Sequence, residues 1–91
     1  MSNYTRLFIL VKCEPGCAEQ VGADIVDQID EVLEVYSTTG NYDLLVKAKL
    51  TDVATMAPIV QGKLHKIGHI RETNTFLSFS VFGRDIGDFV D

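Results

Sequence analysis

Two cysteines and two histidines are the residues of this sequence whose spacing could bind a metal ion. Cys13 and Cys17 are four positions apart, and so are His65 and His69. A structural zinc site needs about four ligands, and the sequence has no second cysteine pair. Two histidines at this spacing can share a helix face, but Gly68 between them is expected to end the helix. We therefore predict no metal site and no cofactor, with Cys13 packed inside and both histidines on the surface.

Nucleophilic catalysis has no recognisable signature in the chain. There is no Ser-His-Asp or Cys-His arrangement with the expected partner spacing. The neighbouring glycines Gly16 and Gly22 do not form a G-x-G-x-x-G phosphate loop. We expect no catalytic residues and a protein that is not an enzyme.

A polar segment, Thr39-Gly40-Asn41-Tyr42-Asp43, is the remaining candidate for chemistry. It joins two segments that are typical of β-strands, and Gly-Asn alone would form a two-residue hairpin turn. Tyr42 and Asp43 add a phenol hydroxyl and a carboxylate at the mouth of that turn. Two interpretations stay open: these side chains brace the hairpin, or they line a binding site.

Composition limits the class of protein. The 91 residues are expected to form one domain, residues 1–91, with a short acidic tail at residues 83–91. The net charge of −5 and the scattered basic residues argue against binding to nucleic acid. Neither a signal peptide nor an apolar run long enough for a membrane helix is evident. We expect no membrane association and a cytoplasmic protein with reduced thiols.

Hydrophobic periodicity predicts the element order β-α-β-β-α-β. A period of two indicates strands, and steps of three and four indicate amphipathic helices. Asp52 or Thr55 is expected to cap the second helix. The predicted elements are a strand at Tyr4–Cys13, a helix from Cys17 to about Ile29, strands at Val32–Thr39 and Tyr42–Leu50, a helix ending at Gly68, and a strand at Ile70–Phe82.

This order is that of an α+β fold, a ferredoxin-like sandwich with a four-stranded antiparallel sheet and two helices on one face. The last strand is expected to direct Leu77, Phe79 and Val81 to the covered face. The open face would carry an apolar patch large enough to need a partner. We therefore predict a homodimer of the dimeric α/β-barrel type, formed sheet against sheet. The predicted interface residues are Phe8, Leu10, Phe76 and Phe82.

The stretch "VYSTTGNYDLLVKAKLTD" resembles the ligand-sensing domain of the Lrp/AsnC transcription regulators, the regulation-of-amino-acid-metabolism domain. The family pattern is a strand, Thr-Gly, a variable residue, Tyr or Phe, and Asp. "VKCEPGCAEQV" is similar to its strand-Pro-Gly-helix entry, and "LHKIGHIRETNTFLSFSVF" to its Ile-Pro-Gly-Val turn and closing strand. In that turn, Gly68 stands where Pro is usual and His69 where Gly is commoner.

The resemblance implies a domain that binds an amino acid or related small effector. In the family, effectors bind in clefts between dimers near this turn, and dimers assemble into rings such as an octamer. It implies that Thr39, Gly40 and Asn41 offer backbone N–H groups to a carboxylate, that Asp43 accepts the ammonium, and that Tyr42 walls the pocket. Additional hydroxyls would come from the closing strand of this or a neighbouring chain, at Thr73 and Thr75.

The resemblance also implies a stand-alone sensor without the helix-turn-helix DNA-binding domain, modulating transcription or amino-acid metabolism without touching DNA. Two alternatives stay open. One is an enzyme on the same fold, of the small monooxygenase type. The other is a structural adaptor that forms mixed oligomers with full-length Lrp/AsnC regulators and needs no small ligand.

Overall fold

The computed structural model describes residues 5–80 and Phe82, and it confirms the predicted order of elements. The elements are β1 (Thr5–Cys13), α1 (Ala18–Gln28), β2 (Val32–Ser37), β3 (Leu44–Leu50), α2 (Val53–His65) and β4 (Ile70–Ser78). The strands form one antiparallel sheet in the order β2-β3-β1-β4, which is the ferredoxin-like topology. Tyr4, Val81 and the tail at residues 83–91 were part of the predictions and lie outside the described residues. Neither helix is long and apolar enough to cross a membrane.

The core forms between the helices and one face of the sheet. Alternate residues of β1 and β3 point to this face, because successive side chains of a strand point to opposite sides. α1 contributes Val21 and Ile25, and α2 contributes Val60 and Leu64, all fully buried. The buried residues of the two central strands are Leu7, Ile9, Val11, Cys13, Leu44, Val46, Ala48 and Leu50.

α2 begins at Val53, one turn earlier than it would if Thr55 were its cap. The Asp52 carboxylate accepts the Ala54 N–H at 3.2 Å, and the Asp52 carbonyl already accepts the Met56 N–H at 2.8 Å. Asp52 is therefore the cap, as one of the two predictions had it. Pro58 consequently lies inside the helix, where it cannot donate the usual backbone hydrogen bond.

The end of α2 also differs from the prediction at Gly68. The helix ends at His65, and the following amides of Lys66 and Ile67 bond back three residues, at 3.1 Å each. These tighter bonds close the last turn before the glycine is reached. His69 then adopts φ +69°, in the left-handed region that most residues avoid.

β4 is shorter than predicted, because it ends at Ser78 and not at Phe82. Its last pair with β1 joins Ser78 to Arg6. Phe79 was expected on the covered face and is 85% exposed instead, so it is not part of the core. Phe82 was expected on the open face of β4 and lies beyond the end of that strand.

Candidate functional site

The connection between β2 and β3 spans residues 38–43 and is longer than the predicted two-residue turn. The last β2–β3 pair joins Ser37 to Leu44. At the base of the connection, the Thr38 N–H donates to the Asp43 carbonyl at 2.9 Å. The Thr38 hydroxyl donates to the Tyr42 carbonyl, also at 2.9 Å. The extension of β2 to Thr39 and the start of β3 at Tyr42 were therefore wrong. We call residues 38–43 the β2–β3 turn.

Gly40 gives this turn its conformation. Its φ is +101°, in the region that glycine adopts readily. The two-residue primed turn expected from Gly-Asn does not form, because six residues separate the last pair of the two strands. A Cβ added at Gly40 would meet no atom within 4 Å, so the site is open. Glycine is therefore favoured by backbone conformation and not by lack of space within the chain.

Asp43 fastens the turn to the neighbouring strand β1. The backbone N–H of Asp43 donates to the Val11 carbonyl at 2.9 Å, and its carboxylate Oδ2 accepts the Cys13 N–H at 2.8 Å. Lys12 adds a hydrogen bond from its ammonium to the Asn41 carbonyl at 3.1 Å. One carboxylate oxygen of Asp43 thus braces the hairpin, as one of the two interpretations held.

Tyr42 connects the same turn to β4, the edge strand beyond β1. Its hydroxyl donates to the Glu72 carboxylate at 3.2 Å, and its side chain is half-buried. Glu72 pairs with Lys12 across the β1–β4 ladder. The turn therefore lies beside one ammonium group, on Lys12, and two carboxylates, on Asp43 and Glu72.

Glu72 and Lys12 were not predicted as site residues. They lie thirty residues from Tyr42, and only the strand register brings them to it. The element order makes such proximity possible without indicating which residue of β4 lies opposite Lys12. The sequence therefore contained no signal for either residue beyond its charge.

Thr73 and Thr75 lie on the other face of the sheet from the Tyr42–Glu72 contact. They pair with Val11 and Ile9, whose side chains point to the core. Directly paired residues of an antiparallel ladder share a face, so both threonines point to the helix side. Within one chain they are not brought together with Tyr42.

The open face of the sheet carries the predicted apolar patch. Phe8 and Phe76 are directly paired, and their rings stack with centroids 5.7 Å apart and planes 21° apart. Leu10 pairs with Leu45 in the next row. Phe76 remains 46% exposed, and Phe8 and Leu10 are half-buried. We call Phe8, Leu10, Leu45 and Phe76 the open-face patch.

The structure confirms the predicted places of Cys13 and of the two histidines. Cys13 is buried, and this burial, followed by the nearby Asp43 carboxylate, raises the pKa of its thiol. Cys17 is half-buried at the start of α1, and both histidines are exposed. His65 is the last residue of α2, whereas His69 belongs to the turn that leads into β4.

Comparison with known proteins assigns the chain to a family. The family model described as the Lrp/AsnC ligand binding domain matches residues 6–86. An uncharacterized HTH-type transcriptional regulator of Pyrococcus abyssi is 31% identical over 84 residues, which cover 90% of this chain and 56% of that protein. The chain therefore spans about half the length of such curated relatives.

Solved structures share this fold. The Thermus thermophilus protein TTHA0845 has 29% identity and a TM-score of 0.76, covering 88% of this chain and 99% of its own. The Neisseria meningitidis regulator NMB0573, solved as a complex with L-Met, has a TM-score of 0.72 over 88% of this chain and 53% of its own. At 22% identity the latter shows the fold alone. By its family match, this chain belongs to the Lrp/AsnC family and contains that family's ligand-binding domain.

Proposed function

We propose that this domain binds an amino acid, or a small effector of the same zwitterionic chemistry, at the β2–β3 turn. The observation that carries the proposal is the set of charges around that turn. Lys12 bonds to its backbone, Asp43 belongs to it, and Glu72 accepts the Tyr42 hydroxyl. The N. meningitidis regulator solved with L-Met supports the choice of ligand, since it has the same fold.

The two charged ends of the ligand would contact protein groups of opposite charge. Backbone N–H groups near Gly40, together with the Lys12 ammonium, would receive the ligand carboxylate. The ligand ammonium would be received by Glu72 and by Asp43 Oδ1, since Oδ2 already accepts the Cys13 N–H. Tyr42 would form the wall between the two ends. In this proposal Asp43 has both roles, bracing the hairpin and binding the ligand.

Assembly is the second half of the proposal. The open-face patch would pair two chains as a homodimer, and dimers would join into a larger ring such as an octamer, with effector clefts between them. Thr73 and Thr75 would then belong to a cleft only through a neighbouring chain, because they face away from Tyr42.

The homodimer or its mixed oligomers with full-length Lrp/AsnC proteins would modulate transcription or amino-acid metabolism. The net charge of −5 disfavours DNA contact by this domain itself.

The first experiment is a thermal-shift screen of the twenty common amino acids against the protein. A ligand at a hundred times its Kd stabilises the folded state by about 2.7 kcal/mol, which is readily detected in a domain this small. No shift with any amino acid would contradict effector binding and would favour the adaptor alternative.

Asp43→Asn then separates the two roles of Asp43. The asparagine amide oxygen can still accept the Cys13 N–H, so the hairpin keeps its brace, but the negative charge is lost. We expect calorimetric titration to show affinity for the selected amino acid reduced roughly ten- to a hundredfold, the value of a charge-assisted hydrogen bond. The melting temperature should change little. The control is Asp30→Asn, an exposed carboxylate in the turn before β2. Equal affinity of wild type and Asp43→Asn would mean that Asp43 only braces the hairpin.

A further inference from the structure

Glu14, Cys17 and His69 form a compact cluster, and none of the three is among the residues assigned to effector binding. Each side chain offers one metal-ligating atom, and the three atoms all lie within 4.8 Å of one another. Two of the residues come from the β1–α1 connection and the third from the turn before β4. The cluster thus takes one member of the cysteine pair and one of the histidine pair, a combination that sequence spacing does not reveal.

The backbone holds these two segments together. The Glu14 N–H donates to the His69 carbonyl at 2.9 Å, and the Cys17 N–H donates to the Glu14 carbonyl at 3.0 Å. Glu14 Oε1 lies 3.1 Å from His69 Nδ1, which orients the imidazole. The three side chains are therefore positioned by main-chain hydrogen bonds before any ligand arrives.

His69 has an uncommon backbone conformation. It is the one non-glycine among the described residues with positive φ, at +69°, a region that most side chains avoid and that histidine enters more often than most. Glycine would adopt this conformation without steric cost. The imidazole that stands here contacts Glu14 and lies close to Cys17.

We propose that Glu14, Cys17 and His69 bind a zinc ion, with water as the fourth ligand. Sulfur, imidazole nitrogen and carboxylate oxygen are the donor atoms of protein zinc sites, and three protein ligands with one water is a common arrangement. Ligands at about 2.0–2.3 Å from a tetrahedral zinc ion lie about 3.3–3.8 Å apart. Glu14 Oε1 and His69 Nδ1 are already this close, and the Cys17 sulfur, within 4.8 Å of both ligand atoms, needs to approach by about 1 Å. Thiolate and imidazole disfavour magnesium and calcium, which prefer oxygen ligands only.

The test is a zinc titration of the reduced protein against a competing chromophoric chelator, with cobalt(II) as a spectroscopic probe. Wild type should bind one zinc ion per chain. With cobalt, it should show the intense thiolate-to-metal absorption of a cysteine ligand and the visible bands of a tetrahedral site. Cys17→Ser should lose the thiolate absorption, and its zinc affinity should fall at least about tenfold, since even loss of a partner that only orients a ligand has that effect.

His69→Gly keeps the test independent of folding. Glycine relieves the positive φ, so the variant's melting temperature without metal should be equal to or higher than that of wild type. Its zinc affinity should nevertheless fall at least about tenfold. The matched control is His65→Gln, which removes the exposed histidine outside the cluster. Absence of stoichiometric binding by wild type would overturn the proposal, as would wild-type affinity in both Cys17→Ser and His69→Gly. An affinity loss in His65→Gln as large as that in His69→Gly would also overturn it.

Discussion

β1 has apolar side chains on both faces of the sheet, and only one of those faces is covered by the helices. Ile9 and Val11 on the covered face are completely buried. Phe8 and Leu10, their neighbours in the chain, are half-buried, and Phe76 opposite Phe8 is 46% exposed. The same strand therefore contributes to two apolar surfaces with different surroundings.

This difference separates folding from association. The covered face buries its side chains within one chain, so it stabilises the domain at any protein concentration. The open face hides part of its apolar area through the Phe8–Phe76 stack and leaves the rest in water. Exposed apolar area of this kind favours association with a second surface. Substitutions on the two faces should consequently differ in whether their effects depend on protein concentration.

Phe8→Glu should have the largest effect, because a symmetric sheet-to-sheet interface would bury two added carboxylates. Lys47, the residue paired with position 8 on β3, already forms an ion pair with Glu34, so each added charge lacks a cation of its own. An unpaired buried charge costs about 3–5 kcal/mol, enough to abolish a dimer of moderate affinity. We expect the mass measured by analytical ultracentrifugation to fall to that of a single chain while the circular dichroism spectrum is retained. Val26→Glu, at a 57%-exposed position on α1, is the control and should leave the mass unchanged. A Phe8→Glu protein that is folded and still dimeric would rule out the open-face patch as the interface.

Ile9→Ala should have the next largest effect and act on folding alone. Removing a fully buried isoleucine side chain costs about 2–5 kcal/mol. Urea unfolding at several protein concentrations should show the same loss at each. Leu10→Ala on the opposite face should lower stability by an amount that grows with concentration, because association stabilises the folded chain by mass action. If both losses vary with concentration in the same way, the two faces do not have separate roles.

The fold could be predicted from the sequence because each element has a clear period. Leu7, Ile9 and Val11 alternate with Phe8 and Leu10. The buried helical residues, Val21 and Ile25 on α1 and Val60 and Leu64 on α2, recur at the helical step of four. Alternation indicates to which face of the sheet a side chain points. It does not show where the strand ends because its neighbour offers no further residues for pairing. Phe79 continues the pattern of β4, yet the strand has ended at Ser78, opposite Arg6 near the start of β1.

The candidate site could be predicted only in part, for a related reason. The residues of the β2–β3 turn are contiguous, so their types were visible in the sequence. Their partners Lys12 and Glu72 are distant in the chain and become neighbours only through strand register. The prediction of a two-residue turn was wrong, because Thr38 forms hydrogen bonds with Tyr42 and Asp43 and these bonds close a longer loop.

The smallest expected effect concerns the ion pair of Glu31 and Lys63. Glu31 lies just before β2, and the Lys63 ammonium on α2 is 3.1 Å from its carboxylate. Partial burial tends to raise the pKa of Glu31, but the hydrogen bond from Lys63, a backbone hydrogen bond and the Lys63 charge together lower it below its usual value. A carboxyl group with a lowered pKa stabilises the fold above its unfolded-state pKa, and this stability is lost as pH falls through the folded-state value.

Glu31→Gln should therefore destabilise the protein at pH 7 by about 0.5–1 kcal/mol, a modest value because the pair is partly exposed to solvent. The difference from wild type should shrink as pH falls below the ordinary glutamate pKa of about 4.3 and should vanish once the pH is below the lowered folded-state pKa of Glu31. Urea unfolding of both proteins across this range is the measurement, with Asp30→Asn as the exposed neighbouring control. This pair joins α2 to the turn before β2 and includes no residue of the open-face patch, so Glu31→Gln should not change the mass in solution. A pH-independent loss of stability would mean that Glu31 acts through packing and not through its charge.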